Sequence, residues 1–100
     1  MCELVWFRHD LRSIDQPALT AAMQSSETVI GLVIIDEPQW KAYGWGEPRI
    51  SWYLQSVRCL AEELANLGIV LRIEKTGLSR TQATVVSQIV QKVGATRVHT

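Results

Sequence analysis

The feature that most constrains this chain is a pair of short runs that are apolar at almost every position. Leu4-Val5-Trp6-Phe7 is the first, and it ends abruptly in Arg8-His9-Asp10. The second is Val29-Ile30-Gly31-Leu32-Val33-Ile34-Ile35, the core of a segment from Thr28 to Ile35 that stops at Asp36. Side chains alternate between the two faces of a strand, so a run without polar alternation has both faces covered. Strands of this kind lie inside a parallel sheet with helices above and below.

The intervening segments supply those helices. Pro17, after Asp15-Gln16, suits a first helical position, where its missing N–H costs nothing. Leu19, Ala22 and Met23 then form an apolar stripe. Glu37 to Pro48 reads as a long loop carrying Trp40, Tyr43 and Trp45 among Gly44 and Gly46. Ile50, Tyr53, Leu54, Val57, Leu60, Ala61, Leu64 and Leu67 follow at helical spacing, with Arg58, Glu62, Glu63 and Asn66 on the other face and Gly68 as a stop. Ser79-Arg80-Thr81-Gln82 has the form of a capping box. It opens a helix with Val85, Val86, Ile89, Val90 and Val93 on one face, stopped by Gly94.

Two further strands complete the pattern. From Ile69 to Glu74, Ile69, Leu71 and Ile73 alternate with Val70, Arg72 and Glu74, as in an edge strand with one wet face. Thr96 to Thr100 forms a fourth. The order β-α-β-α-β-α-β predicts an α/β, Rossmann-like, three-layer fold: one domain over residues 1–100 whose parallel sheet is flanked by helices, with strand order 3-2-1-4. The switch point then falls between the first and fourth strands, and ligands of such sheets bind beyond the carboxyl ends of the strands there. A fourth strand with an open edge implies a chain truncated before its final strand, hence a piece of a larger protein.

Composition narrows the class. The 100 residues carry no net charge and no basic stripe, so this domain has no electrostatic footprint for nucleic acid. Cys2 and Cys59 form no CxxC or Cys/His pattern and read as two reduced thiols of a cytosolic protein. At the N-terminus Glu3 precedes the apolar run and Arg8 follows it, the wrong order for a signal peptide. No apolar run approaches the roughly 20 residues that cross a bilayer. The expectation is a soluble cytoplasmic protein without a membrane partner.

Few residues suggest chemistry. There is no GxGxxG after the first strand and no GxxxxGK[ST], so the ordinary dinucleotide and P-loop readings are disfavoured. Arg8, His9, Asp10, Arg12 and Asp15 cluster at the carboxyl end of the first strand. They either line a ligand crevice or form an ion-pair network tying loops together; Arg and Asp satisfy each other readily, and spacing alone favours the network. Asp36 either contacts a ligand or caps its loop. His9 and His99 lack a third metal ligand or a nucleophile partner, so neither a metal site nor a triad is expected. Trp40, Tyr43 and Trp45 stack on a ligand, pack against a second domain or fold onto the sheet edge, and exposed aromatics favour the interface.

Leu4-Val5-Trp6-Phe7-Arg8-His9-Asp10-Leu11-Arg12, followed by Asp15-Gln16-Pro17-Ala18-Leu19, resembles the opening of the DNA photolyase/cryptochrome family. That family reads as an apolar strand, Trp-Phe-Arg-x-Asp-Leu-Arg, then Asp-Asn-x-Ala-Leu. Asp36-Glu37-Pro38, Arg49 before Tyr53-Leu54-Gln55-Ser56-Val57, Leu67-Gly68 and Gly94-Ala95 extend the resemblance over the whole chain. Gln16 stands where the family often has Asn, and Val57 where it usually has Leu. The Pro38-Gln39-Trp40 segment is more similar to bacterial cyclobutane pyrimidine dimer photolyases than to animal cryptochromes.

The resemblance implies a light-driven lyase. FAD sits in a C-terminal helical domain absent from these residues, and damaged DNA is bound there. The photoexcited reduced flavin donates an electron that splits a pyrimidine dimer. The N-terminal α/β domain can hold an antenna, either a folate (methenyltetrahydrofolate) or a deazaflavin. The folate contacts fall beyond the fourth strand. A deazaflavin lies at the strand ends, which implies cofactor-binding roles for Arg8, Asp10 and Asp36. No catalytic, FAD, DNA or electron-relay position of the family maps onto this chain, so Trp6, Trp40, Trp45 and Trp52 are not assigned to the relay. By itself the chain is expected to be inactive and to self-associate through its open edge. The alternatives are a cryptochrome-type photoreceptor and, behind it, a free-standing nucleotide-binding module.

Overall fold

The computed structural model describes residues 2–8, 11–14, 16–24, 28–77 and 80–100. Four parallel strands, β1 (Cys2–Trp6), β2 (Thr28–Ile35), β3 (Val70–Lys75) and β4 (Ala95–His99), form one sheet in the order β3-β2-β1-β4. Four helices connect them: α1 (Pro17–Met23), α2 (Glu37–Ala42), α3 (Glu47–Asn66) and α4 (Gln82–Val93). The Rossmann-like α/β fold and the 3-2-1-4 order are those expected from the two-faced apolar runs. β1 is buried from Cys2 to Val5 and β2 from Gly31 to Ile35, as befits the two interior strands.

The two faces of the sheet are covered differently. On one, α1, α2 and α3 pack Leu19, Ala22, Trp40, Val57, Leu60 and Leu64 against Val5, Phe7, Val33 and Ile35. On the other, α4 lays Val85 and Ile89 on Leu4, Leu32 and Ile34. α3 crosses β2 at Gly31, where a Cβ would lie 3.0 Å from Leu71 Cδ1 and 3.2 Å from both Leu64 Cδ1 and Phe7 Cε2. A side chain there would push α3 off the sheet. The missing polar alternation in β2 and its one glycine thus share a cause, the close approach of a helix.

Helix boundaries follow local chemistry. Gln16 caps α1 by accepting from the Ala18 N–H at 3.0 Å, and Pro17 takes the first turn as predicted. Met23, read as part of the α1 stripe, is exposed, so that stripe is only Leu19 and Ala22. Leu54 and Leu67 also leave the buried stripe of α3, which narrows to Val57, Leu60 and Leu64. Gly94 ends α4 in the left-handed conformation at φ 70°.

Two expectations need correction. The segment read as a loop from Glu37 to Pro48 contains α2, and Glu47 and Pro48 already belong to the first turn of α3. Asp36 caps α2, Glu37 and Lys41 suit the two ends of its dipole, and the buried Trp40 anchors it. The glycines shape only the link at its C-terminus. The second correction concerns α4, which begins at Gln82 with Thr81 as its cap, the Thr81 Oγ1 accepting from the Thr84 N–H at 3.2 Å. Ser79, the cap of the expected box, lies outside the described residues.

Among the described residues both cysteines are free, Cys2 buried and Cys59 exposed, and no helix is long and apolar enough to cross a membrane.

Candidate functional site

Beyond the carboxyl tips of β1 and β2 lies a crevice of about 650 Å³. Its floor is Trp6, Phe7 and Ile34 at the strand ends; Arg8 and Asp36 stand at the rim. One wall is aromatic: Trp40 and Tyr43 from α2 and its end, Trp45, and Tyr53 from α3. The opposite wall is Arg80, Thr81, Gln82 and Ala83, at the N-terminus of α4. A volume in this range, with an aromatic wall on one side and converging polar groups on the other, suits a small-molecule site.

The aromatic wall is a rigid packed unit. Trp40 and Trp45 stack with ring centroids 5.4 Å apart and planes 14° from parallel. Tyr53 meets Trp40 edge-on at 5.1 Å and Trp45 at 5.8 Å. The Arg49 guanidinium caps the cluster 4.5 Å above Trp45. Of the three roles open to these aromatics, the structure gives Trp40 and Trp45 a place against the three-helix core, and only Tyr43 stays largely exposed. Burial pushes the Tyr53 phenol above its usual pKa, so at neutral pH it is a hydroxyl and can donate a hydrogen bond.

The polar side is organised on Asp36. Its Oδ1 accepts from the Gln39 N–H at 3.1 Å and from the Thr76 hydroxyl at 3.3 Å; its Oδ2 accepts from Gln82 Nε2 at 2.9 Å. Gln82 Nε2 also donates to Gln39 Oε1 at 3.1 Å. One carboxylate therefore ties the end of β2, the cap of α2, the buried Thr76 after β3 and the first residue of α4. Arg80 fixes the same connection by donating to the carbonyls of Lys75 and Thr76 and, at 2.8 Å, to Gln88 Oε1.

The expected charged cluster divides. Arg8 is exposed at the crevice rim with its guanidinium 4.6 Å over the Trp6 ring. Arg12 lies elsewhere, in a depression on the outer side of α3 with Leu11, Trp52, Cys59 and Glu63, where the Ser13 hydroxyl also donates to Glu63 at 3.0 Å. His9, Asp10 and Asp15 lie outside the described residues. No group of three metal-ligating side chains occurs among the described residues. His99 instead meets the buried Glu3 carboxylate at 2.7 Å, bracing β4 against β1.

The crevice also sits one strand away from its expected place. Strand order put it between β1 and β4, but it opens over β1 and β2, because α2, the start of α3 and the segment after β3 all rise above those two strands. Sequence reasoning missed Gln39, Tyr53, Thr76, Arg80 and Gln82. The available signal was positional: Thr76 follows the end of β3 just as Arg8 and Asp36 follow those of β1 and β2.

The family model for DNA photolyase matches residues 3–100. A deoxyribodipyrimidine photo-lyase of Vibrio cholerae is 35% identical over 95 residues, covering 95% of this chain and 20% of that protein. A cryptochrome DASH of Natronomonas pharaonis is 33% identical over 99 residues, covering 96% of this chain and 20% of its own length. Cryptochrome-1 of Arabidopsis thaliana is 31% identical over 97 residues, covering 97% of this chain and 14% of its own length. The chain thus spans about a fifth or less of these relatives.

Proposed function

The chain belongs to the DNA photolyase family, and from that premise we propose that it is the N-terminal α/β domain of a deoxyribodipyrimidine photolyase, a carbon–carbon lyase that uses light to split pyrimidine dimers in DNA. In this reading FAD and damaged DNA are bound by the helical remainder of a longer cytoplasmic protein, and residues 1–100 supply the site of a light-harvesting antenna.

The observation that carries the antenna reading is the crevice at the strand tips, with a stacked aromatic wall on one side and the N-terminus of α4 on the other. The fit is to a planar aromatic chromophore with polar or anionic substituents. Trp40, Trp45 and Tyr53 present a preformed apolar wall, Arg8 offers a cation at the rim, and Gln82 and Ala83 at the N-terminus of α4 line the opposite side. A bound antenna absorbs light and passes the excitation to the flavin. The chain's own residues hold and orient it: Arg8 by charge, Tyr53 by packing and its hydroxyl, and Asp36 by fixing the positions of α2 and α4. Asp10, outside the described residues, is proposed as a further antenna contact on the family resemblance alone. Of the two antenna types, a deazaflavin suits a crevice built within this domain.

The test is blue-light repair of a thymine-dimer oligonucleotide by the full-length protein, with a dark control. Light-dependent loss of dimers is expected. The second reading is a cryptochrome-type photoreceptor, which rests on the 31–33% identity to cryptochromes over nearly the whole chain. Bound, photoreducible flavin without repair establishes that reading instead.

A further inference from the structure

β3 is the outer strand of the sheet, paired to β2 on one side only. The Thr76 N–H donates to the Ile35 carbonyl at 3.1 Å, which fixes the phase of the strand. Hydrogen-bonding groups alternate sides along a strand, so Val70, Arg72 and Glu74 turn theirs toward β2, and Leu71, Ile73 and Lys75 turn theirs outward. Apart from its charged residues, Arg72, Glu74 and Lys75, this edge lacks the usual protections. It has no proline, and its register to β2 runs unbroken from Val70 to Lys75. Val70 is 70% and Ile73 50% exposed, and its one lysine, Lys75, lies 3.7 Å from Glu37.

Antiparallel pairing with a second copy requires outward-turned residues to face one another. Of the two-fold registers that keep most of the strand paired, one centred on Arg72 sets that residue against itself, and one centred on Glu74 sets two carboxylates together. The register centred on Ile73 does neither. It makes a hydrogen-bonded Ile73–Ile73 pair with a Leu71–Lys75 pair on each side. It also places the Arg72 of each copy opposite the partner's Glu74, at the non-hydrogen-bonded positions where side chains come closest. The two-fold axis stands perpendicular to the sheet, so both α3 helices lie on one face. There Ile73 and Leu54 of each copy, 50% and 45% exposed, meet beside the axis.

Within one chain Arg72 Nη2 already reaches Glu74 at 3.3 Å, so the pair is assembled on the surface and has donors left for a second carboxylate. The other outer strand, β4, carries Arg97 and no acid, so it has no self-complementary pattern of this kind. We propose that the β3 edge is an isologous docking surface for a second copy of this chain, in the register centred on Ile73. A strand pair with four apolar side chains belongs to the small, weak class of interfaces, so association is concentration-dependent.

The test is the mass of the full-length protein by sedimentation, up to a chain concentration of about 1 mM. The mass is expected to rise from one chain to two. Glu74→Arg and Arg72→Glu should each hold it at one chain, because each sets like charges opposite one another. An equimolar mixture of the two variants should dimerise again, since the two arginines on the strand of one chain then face the two glutamates on the strand of the other. Thermal melts establish that the variants are folded. If they are not, Ile73→Pro, which removes an outward N–H and none that bonds β2, is expected to abolish the dimer alone. A single-chain mass throughout, as when another segment of the longer chain covers the edge, overturns the proposal. So does a mixture that fails to dimerise while the wild type does.

Discussion

The two faces of the sheet bury the same strands with different materials. The face under α1, α2 and α3 packs aromatic with aliphatic residues, with Phe7 and Trp40 buried among Val5, Val33, Leu60 and Leu64. The face under α4 is aliphatic in its buried part: Leu4, Leu32, Ile34, Val85 and Ile89, with Trp6 at the margin. Large rigid rings can fill a core and still show an edge to a cavity; small branched side chains fill and close. The aromatic face therefore builds the crevice wall as a by-product of its own packing, whereas the aliphatic face contributes Trp6 and Ile34 to the floor and the start of α4 to the opposite side.

The most direct way to break this comparison is to remove one anchor from each face. Trp40 is 6% exposed and stacks on Trp45, so Trp40→Ala is expected to cost about 3–5 kcal/mol and to open the crevice together. Ile89→Ala, on the aliphatic face, is expected to cost about 2 kcal/mol, because a single helix can settle toward the sheet and shrink the cavity. Urea unfolding followed by fluorescence and circular dichroism measures both. Equal losses would mean that the faces differ in composition and not in rigidity.

Legibility in the sequence divides along the same line. The valine and isoleucine stripe of α4 and the two-faced runs of β1 and β2 each record one simple relation between a residue and the core. The charged residues of β3 mark it as an outer strand although its alternation does not match burial, Ile73 being 50% exposed while Arg72 and Glu74 are half-buried. Those relations were enough for the strand order. On the aromatic face the signals compete. Gly44 and Gly46 read as loop, while Asp36-Glu37-Pro38 is equally a helix start, and only the burial of Trp40 decides between them. The crevice was legible where a strand ends in a charged residue, at Arg8 and Asp36. It was illegible at Gln82, whose partner Asp36 lies 46 residues away in sequence. Arg12 was misplaced for the converse reason, since neighbours in sequence after a strand diverge as soon as the chain turns.

The Asp36 hub joins the two faces, and a pair of substitutions sharpens what it does. Asp36→Ala removes the cap of α2 and the acceptor for Thr76 and Gln82, an expected loss of about 1–2 kcal/mol in thermal or urea unfolding. Asp36→Asn keeps an oxygen for the Gln39 N–H, and Asn caps as well as Asp, so most of that stability should remain. If the asparagine variant is as unstable as the alanine, the second acceptor oxygen and its charge, which receive Gln82 Nε2, hold α2 and α4 together rather than the cap alone.

Tyr53 gives the smallest effect and the one most specific to the aromatic face. Its folded pKa is raised because burial disfavours the phenolate. A raised folded value means that the unfolded chain releases the proton first. The associated stability is therefore fully present below the unfolded tyrosine value of about 10 and is lost as pH rises from there through the folded value. Tyr53→Phe keeps the ring that meets Trp40 and Trp45 and removes the ionisation, so near neutral pH its unfolding should lie within about 1 kcal/mol of wild type. Above pH about 10 the variant should lose less stability than the wild type. Parallel losses in the two proteins would place the alkaline sensitivity elsewhere and leave the aromatic wall as packing alone.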